Sequence, residues 1–317
     1  MIDLLACLGS LAIGSQWIEP TRVWAALSGR GTANEQAIVM GLRLPRTLLG
    51  MLCGASMGMA GALTQAHTRN PLADPGLLGV GSGASFAVVC AMVWPGWQAP
   101  SQYVWAGVAG AVIAGIGVIG LGLRQRSVEP MLGVVLIGAV VTALLGSATS
   151  AVVITHPHQM GSFQAWSTGS LDGRGLDVAR GVLPVLLCGL LLAVSALGAL
   201  PALELGDRLA ASLGSRAVRD RAIGLAAVVL LCGGSTAACG SLGFIGLLAP
   251  HAARRLCGGR PVMTALLCLP TGIAAILIAD IIGRVATRGA EVPVGVTLAA
   301  LGAPLFVSLA RRAGDER

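Results

Sequence analysis

The chain has 317 residues, of which 55% are hydrophobic and 11% are charged, and its formal net charge is +7. The mean hydropathy is +0.82. Soluble globular domains carry about a quarter of their residues as charged side chains, so this composition excludes an ordinary soluble domain. All 21 basic residues are arginines, and they are scattered without aromatic neighbours, which argues against nucleic-acid binding.

Apolar runs of membrane-spanning length recur along the chain. A helix needs about 20 apolar residues to cross about 30 Å of hydrocarbon. The predicted spans lie near 2–16, 46–66, 77–94, 103–123, 131–154, 181–201, 222–240, 242–256, 262–283 and 293–310. An outer-membrane barrel would instead show segments of about ten residues with alternating polarity, which are absent. The sequence therefore predicts one all-α polytopic membrane domain over residues 1–317, with about ten transmembrane helices.

The stretch 222–256 is too long for a single crossing. It contains Gly233 and Gly234, so we divide it into two helices, the second of them short. With ten spans and a cytoplasmic N-terminus, about thirteen arginines face the cytoplasm and about eight face outward, as the positive-inside rule requires. Both termini are therefore predicted to be cytoplasmic.

Glycines are regularly spaced in the second predicted span. Gly50, Gly54 and Gly58 lie four residues apart on one helix face. Lipid supplies no hydrophobic force between helices, so close backbone approach at small residues has to hold them together. This spacing predicts a tightly packed helix interface.

Motifs of enzymes and metal sites are missing from the sequence. Without a lysine the chain cannot form the P-loop of an ATPase. Its eight cysteines form no CxxC pair, and the histidines are scattered, which argues against a metal site or a bound cofactor. His156 and His158 lie at the predicted outer end of the fifth span and stay candidates for contact with a metal-bearing ligand. We predict no enzymatic activity.

One acidic residue, Asp280, lies well inside an apolar run, and Arg284 follows one helical turn later. A charge within the membrane is costly unless it is paired or faces a cavity. The spacing predicts an Asp280–Arg284 pair near the outer boundary. A coupling-ion site at Asp280, as in a secondary transporter driven by ions, is the alternative.

The longest polar segment predicted to be cytoplasmic is LGDRLAASLGSRAVRDR, residues 205–221. The spacing of its leucines, interrupted by Gly206 and Gly214, predicts two short amphipathic helices lying across the membrane surface. The segment is longer than a simple connection requires. A docking surface for a soluble partner and a solvated turn both remain open from these residues alone.

A series of motifs covers nearly the whole chain. They are RLPR at 43–46, GASMGMAGALTQ at 54–65, RNPLADPGLLGVGSGAS at 69–85, WSTGSL at 166–171, LGDRLAASLG at 205–214, GFIGLLAPHAARRLCGG at 243–259, IADIIGR at 278–284 and VPVGVTLAALGAPLF at 292–306. In content and in order they resemble the permease family of ATP-binding-cassette importers for iron-siderophores, haem and cobalamin.

The resemblance implies a fold, a location and a set of partners. The fold is that of a type II importer permease with ten helices per subunit, placed in the bacterial inner membrane with several crossings. The partners are a second permease subunit, expected to be an identical copy, two cytoplasmic ATP-binding subunits and a periplasmic substrate-binding protein, with membrane lipid around the whole. Neither a cofactor nor nucleic acid is implied.

The resemblance also assigns roles to individual residues. Docking of the binding protein is assigned to Arg43, Arg46 and Arg284. Coupling to the ATPase is assigned to Leu205, Gly206, Asp207, Leu213 and Gly214. Separately from the resemblance, we take His156, His158, Trp166, Pro250 and His251 as candidates for a gate or pathway.

The predicted function is that of a permease subunit importing an iron-siderophore complex from the periplasm, with ATP hydrolysis supplied by the partners. Import of haem or cobalamin by the same mechanism is the first alternative. An ion-driven secondary transporter is the second.

Overall fold

The chain is helical throughout the computed structural model, which describes residues 2–14, 17–124, 130–204, 217–287 and 291–315. No strand occurs within these ranges. The α-helices are α1 Ile2–Ala12, α2 Pro20–Leu27, α3 Ala33–Gln36, α4 Leu44–Thr68, α5 Val80–Val93, α6 Pro100–Gly122, α7 Pro130–Thr155, α8 Pro157–Ser167, α9 Leu176–Ala196, α10 Leu200–Glu204, α11 Ala217–Cys239, α12 Ile245–Cys257, α13 Pro261–Val285 and α14 Val294–Asp315. A π-helical segment, Ala37–Arg43, joins α3 to α4.

Each predicted span overlaps one of these helices, but not every helix is long enough to count as a crossing. Within the described residues, six helical runs have the length and composition to cross a membrane. They are Ala33–Thr68, Pro100–Gly122, Met131–Thr155, Leu176–Leu203, Val218–Cys239 and Pro261–Val285. The runs Ile2–Ala12, Val80–Val93 and Val294–Ser308 are apolar but shorter. Helix length alone therefore supports a polytopic membrane protein without fixing the number of crossings at ten.

The long stretch 222–256 is divided into two helices, as predicted, but not at the predicted glycines. Gly233 and Gly234 lie inside α11. A Cβ atom on Gly233 would come within 2.6 Å of the Ala111 side chain, so this glycine serves close packing against α6. The helix ends at Cys239, and Gly240 follows it with a φ of +79°. The positive φ of Gly240 is what turns the chain.

Short helices absent from the prediction fill two of the connections. α2 begins with Pro20, whose fixed φ and missing N–H suit the first helical turn. α3 begins with a capping box in which the Thr32 hydroxyl accepts from the Glu35 backbone and the Glu35 carboxylate accepts from the Thr32 backbone. The third such helix, α8, follows α7 after His156 and again begins with proline. Polar capping residues interrupt the hydropathy pattern here, so a search for apolar runs does not find these helices.

The helix α4 lies at the centre of the bundle. In the apolar window of Ala33–Thr68, 78% of residues are buried, and the same holds for α11, whereas only 22% are buried in α7. α4 packs against α13, α11, α12 and α9. Side chains at either end of α4 are therefore surrounded by several other helices.

The glycine spacing in α4 brings its backbone against that of α13. A Cβ atom on Gly54 would lie 2.6 Å from the carbonyl oxygen of Gly272, and one on Gly58 would lie 2.2 Å from that of Cys268. Neither position has room for a side chain. The predicted close helix interface is confirmed, with α13 as the partner of α4.

A glycine junction formed by Gly169, Gly240 and Gly295 joins the WSTGSL motif, the end of α11 and the VPVGVTLAALGAPLF motif. The Ser170 N–H donates to the Cys239 carbonyl at 2.8 Å, and the Gly295 N–H donates to the Gly169 carbonyl at 2.9 Å. Gly169 has a φ of +77°, which glycine adopts without strain. These hydrogen bonds connect the segment after α8, the end of α11 and the start of α14.

Replacing Gly58 with Ala should lower the stability of the protein by about 1–3 kcal/mol, because the new methyl group would force α4 and α13 apart. The matched control is Gly117→Ala in α6, where a Cβ atom meets nothing within 4 Å. That control should be neutral or slightly stabilising, since alanine favours helix over glycine. The apparent melting temperatures of both variants in one detergent would measure the difference. Equal melting temperatures would contradict the close packing.

Candidate functional site

The arginines of the RLPR and ADIIGR motifs come together at one end of the bundle. Arg43 ends the π-helical segment, Arg46 lies in the first turn of α4, and Arg284 lies in the last turn of α13. Their exposed fractions are 6%, 8% and 5%, respectively. Residues far apart in sequence thus form one buried cluster of positive charge.

The carboxylate of Asp280 is the centre of this cluster. It is 1% exposed and accepts hydrogen bonds from the Nε and Nη2 atoms of Arg46 at 2.7 to 3.1 Å. On its other side it accepts from Arg284, whose Nε lies 2.9 Å away and whose Nη2 is also bonded. Two guanidinium groups therefore neutralise and orient one buried carboxylate. The predicted Asp280–Arg284 pair is confirmed, and Arg46 completes it.

Arg43 and Arg284 also bind the C-terminal end of α1. Each uses its Nη1 atom to donate to two main-chain carbonyl groups, at N–O distances of 2.8 to 3.1 Å. The accepting carbonyl groups are those of Ser10, Leu11, Ala12 and Ile13. The last carbonyls of a helix have no partner within the helix, and positive charge offsets the negative end of the helix dipole. This contact explains why α1 ends at Ala12, before it reaches the length of a full crossing.

Two more acidic residues contact the third nitrogen of the Arg46 guanidinium. The Nη1 atom lies 2.5 Å from Oε2 of Glu291 and 3.3 Å from Oδ1 of Asp172. The side chain of Glu291 is 37% exposed and that of Asp172 is 70% exposed. Arg46 thus links the buried carboxylate of Asp280 to two acidic groups that solvent can reach.

An open cavity of about 370 Å³ lies beside the cluster, and Asp172 and Glu291 line part of it. Arg43, Arg46 and Arg284 contribute to its wall, together with a further arginine, Arg174, which the sequence did not single out. Arg174 is 7% exposed and donates from Nη1 to the hydroxyl of Tyr103. Its guanidinium carbon lies 5.6 Å from the centre of the tyrosine ring, within cation–π range. Its position between two turn glycines, in LDGRGLD, would not have distinguished it from an ordinary loop arginine.

A second polar cluster lies towards the opposite end of α4, around Gln65. The Gln65 Nε2 donates to the carbonyl of Gly246 at 3.0 Å, and its Oε1 accepts from Nη2 of Arg254. Pro250 lies four residues after Gly246 in α12, so it has no N–H with which to bond that carbonyl. Gln65 supplies the missing donor. The proline of the PHAARR sequence therefore opens α12 to a hydrogen bond from α4, a role that the sequence alone did not reveal.

The remaining residues assigned to a gate or pathway lie at separate places in the structure. Trp166 is 1% exposed, stacks on Phe163 and donates to the Ala237 carbonyl at 3.4 Å. His156 is exposed, and its Nδ1 lies 3.0 Å from the hydroxyl of Thr155. Pro250 and His251 lie on α12, where Pro250 is buried and His251 is partly buried. These positions show packing and local hydrogen bonds, so the pathway role stays a prediction.

Two further points of the sequence analysis concern metal ions and the residues assigned to ATPase coupling. Among the described residues, no group of three or more His, Cys, Asp and Glu side chains is placed to hold a metal ion. The residues assigned to ATPase coupling lie outside the described residues; they are Leu205, Gly206, Asp207, Leu213 and Gly214.

Comparison with known proteins identifies the family. The FecCD transport family matches residues 2–312. The chain belongs to this family. It is 40% identical to the ferric enterobactin transport system permease protein FepD of Escherichia coli strain K12 over 313 residues, which covers 98% of this chain and 93% of FepD. It is 36% identical to the vitamin B12 import system permease protein BtuC of Escherichia coli O157:H7, covering 99% of this chain and 94% of BtuC.

The fold matches solved structures as well. A metal-chelate type ABC transporter in an inward-facing conformation aligns with a TM-score of 0.80 and 25% identity, covering 98% of this chain and 96% of that one. PsaBC from Streptococcus pneumoniae aligns with a TM-score of 0.59 at 14% identity, which shows a shared fold alone. The family is one of integral membrane transport permeases rather than enzymes, and ABC importer permeases work with ATPase and substrate-binding partners.

Replacing Asp280 with Asn should destabilise the protein by about 3–5 kcal/mol, because it leaves Arg284 buried without its counter-charge and removes the buried partner of Arg46. Asp172→Asn removes a carboxylate from the same arginine at an exposed position, and it should cost less than about 1 kcal/mol. Melting temperatures measured in one detergent would separate the two. Similar losses for both variants would show that the buried pair is not what holds the cluster together.

Proposed function

We propose that this chain is the membrane permease subunit of an ABC importer that carries a ferric siderophore complex into the cytoplasm. Family membership and the 40% identity to FepD support this substrate class. The probable siderophore permease YfiZ and the iron(3+)-hydroxamate permease FhuG, both of Bacillus subtilis, are each 32% identical. Cobalamin stays an alternative because BtuC is 36% identical.

The observation that carries the proposal is the cavity lined by arginines at one end of the bundle. Arg43, Arg46 and Arg284 are buried there, and together with Arg174 they outnumber those described acidic residues that contact them. An excess of guanidinium groups around a recess suits recognition of acidic side chains on a partner protein. In the proposed function this end faces the periplasm and receives the loaded substrate-binding protein.

The opposite end of the bundle is proposed to face the cytoplasm. Arg254 and Arg255 in the last turn of α12, with Arg260 just beyond, place positive charge at that end, in line with the positive-inside rule. The segment 205–221, which follows α10 in sequence, is proposed to dock on the ATPase. Ten crossings with both termini cytoplasmic then follow if the shorter helices α1, α5, α12 and α14 also cross or enter the membrane.

A second permease subunit is proposed to cover the exposed face of α7. That helix exposes Leu136, Val140 and Leu144 at four-residue spacing. The hydroxyl-bearing residues Ser147 and Ser150 are also exposed, and each bonds a carbonyl of its own helix at 2.9 to 3.0 Å. A face that mixes apolar groups with satisfied hydroxyls suits a helix interface beside a polar passage better than it suits lipid alone.

An ion-driven transporter is less compatible with the geometry of Asp280. Both oxygens of that carboxylate accept hydrogen bonds from guanidinium groups, and the residue is 1% exposed. A coupling ion would have to displace an arginine to reach it. The structure therefore favours ATP hydrolysis by partner subunits as the energy source.

Purification of the tagged protein from native membranes in mild detergent would test the proposed function. We expect an ATPase at a one-to-one ratio with permease subunits, and a substrate-binding protein whose bound ligand shows the absorbance of a ferric complex. Mass spectrometry would identify both. Recovery of the permease alone, under conditions that preserve another ABC importer from the same membranes, would contradict the proposal.

A haem import function would give His156 and His158 a direct role. Both are exposed at the start of α8. The Nδ1 atom of His156 lies within hydrogen-bond distance of the Thr155 hydroxyl, and the centre of its ring lies 6.3 Å from that of Trp94. We expect the double variant His156→Ala, His158→Ala to import the native substrate at an unchanged rate. Uptake of the iron-labelled ligand by cells that depend on this protein would measure it. A loss of uptake, with normal amounts of protein in the membrane, would favour haem.

A further inference from the structure

Arg46 holds three carboxylates that differ in their access to solvent. Its Nε and Nη2 atoms bond Asp280, which is fully enclosed. Its Nη1 atom bonds Glu291 and Asp172, which are 37% and 70% exposed. A buried pair is costly to open, whereas an exposed ion pair contributes little and can be replaced. One edge of the guanidinium is therefore fixed, and the other is available for exchange.

The cavity retains more positive charge than its own acidic residues neutralise. Four arginines, Arg43, Arg46, Arg174 and Arg284, line it. In the part of the chain that the structure describes, the carboxylates in contact with them are those of Asp172, Asp280 and Glu291. Among the described residues, the guanidinium groups of the cavity wall thus outnumber the carboxylates in contact with them by one.

An acidic side chain entering the cavity would meet Asp172 and Glu291 first. Like charges repel strongly where water is partly excluded, so the incoming carboxylate and these residues cannot occupy the site together. Asp172 can move outward, because its side chain is already 70% exposed. Its backbone N–H is bonded to the Ser170 hydroxyl at 3.0 Å, so the turn keeps its own hydrogen bond when the carboxylate leaves Arg46.

We propose that Asp172 and Glu291 are internal substitutes for a carboxylate of the docking partner, and that docking exchanges them for that carboxylate on Nη1 of Arg46. This inference rests on the proposed docking of an acidic surface of the substrate-binding protein at this cavity. In the undocked state the two acidic residues keep Arg46 paired. On docking, the partner's Asp or Glu takes their place on Nη1 of Arg46. The internal acids therefore weaken docking and allow the partner to dissociate.

The exchange is tested with Asp172→Asn and Glu291→Gln, which keep side-chain size and remove the competing charge. The probe is the substrate-binding protein recovered in the native purification, titrated onto the full transporter with its ATPases in lipid nanodiscs. Each variant should bind it about 1.5- to 5-fold more tightly, the range expected for loss of a partly exposed ion pair. The double variant should bind more tightly than either single one.

The matched control is Glu35→Gln, which changes the net charge by the same amount. Glu35 lies eight residues before Arg43 and pairs with Arg22 rather than with the cluster. Glutamine preserves the capping box of α3. The control should leave affinity within about 1.5-fold of wild type, because long-range charge effects are screened at physiological salt. If Glu35→Gln raised the affinity for the probe as much as the acid variants do, the effect would be one of overall charge, and the proposed exchange at Arg46 would be wrong.

The remaining outcomes separate this inference from the function it rests on. Suppose that wild type binds the probe and that Arg43→Gln weakens this binding. If the variants Asp172→Asn and Glu291→Gln then leave the affinity unchanged or reduce it, the exchange is wrong and the docking site stands. If wild type does not bind the probe, or if Arg43→Gln and Arg46→Gln both leave the affinity of a folded transporter unchanged, the docking site is wrong and the exchange falls with it.

Discussion

A single buried carboxylate holds together the part of the molecule most closely linked to its function. Asp280 lies on a helix of otherwise apolar residues, where an unpaired charge would be prohibitively costly. The two guanidinium groups that neutralise it belong to Arg46 and Arg284, so α4 and α13 are fixed to each other at this end. Arg284 extends the same network to the end of α1. The orientation of Arg46, and the contact that Arg284 makes with α1, depend on this one charge.

The sequence predicted helix positions well because hydropathy is a local property. The ranges given for α4, α7 and α13 differ from the observed helices by only a few residues. The pairing of Asp280 with Arg284 could also be predicted from the sequence, since the two residues lie one turn apart on one helix. The contact between Asp280 and Arg46 spans 234 positions and could not follow from periodicity. Only the fold brings the two motifs into contact.

Other parts of the site were missed for different physical reasons. Arg174 is surrounded by turn residues, and nothing in its neighbours indicates that it is buried against Tyr103. Gly233 and Gly234 were interpreted as a helix break, but in a membrane bundle adjacent glycines also permit close packing, and α11 continues through them. The coupling residues at 205–214 lie outside the described residues, so that role still rests on resemblance.

α4 connects the two polar clusters of the molecule. Arg46 and Gln65 are 19 residues apart on it, or about 28 Å along a helix axis. Between them, Gly54 and Gly58 bring its backbone against α13, with no side chains in between that could change rotamer. At the far end, Pro250 leaves a carbonyl of α12 without its helical donor, and Gln65 of α4 bonds it. The proline is thus tolerated in α12 because a neighbouring helix satisfies the freed carbonyl. Any motion that separates α12 from α4 exposes that carbonyl inside the bundle. The bonds of Gln65 to Gly246 and to Arg254 therefore tie both ends of α12 to the helix that carries Arg46.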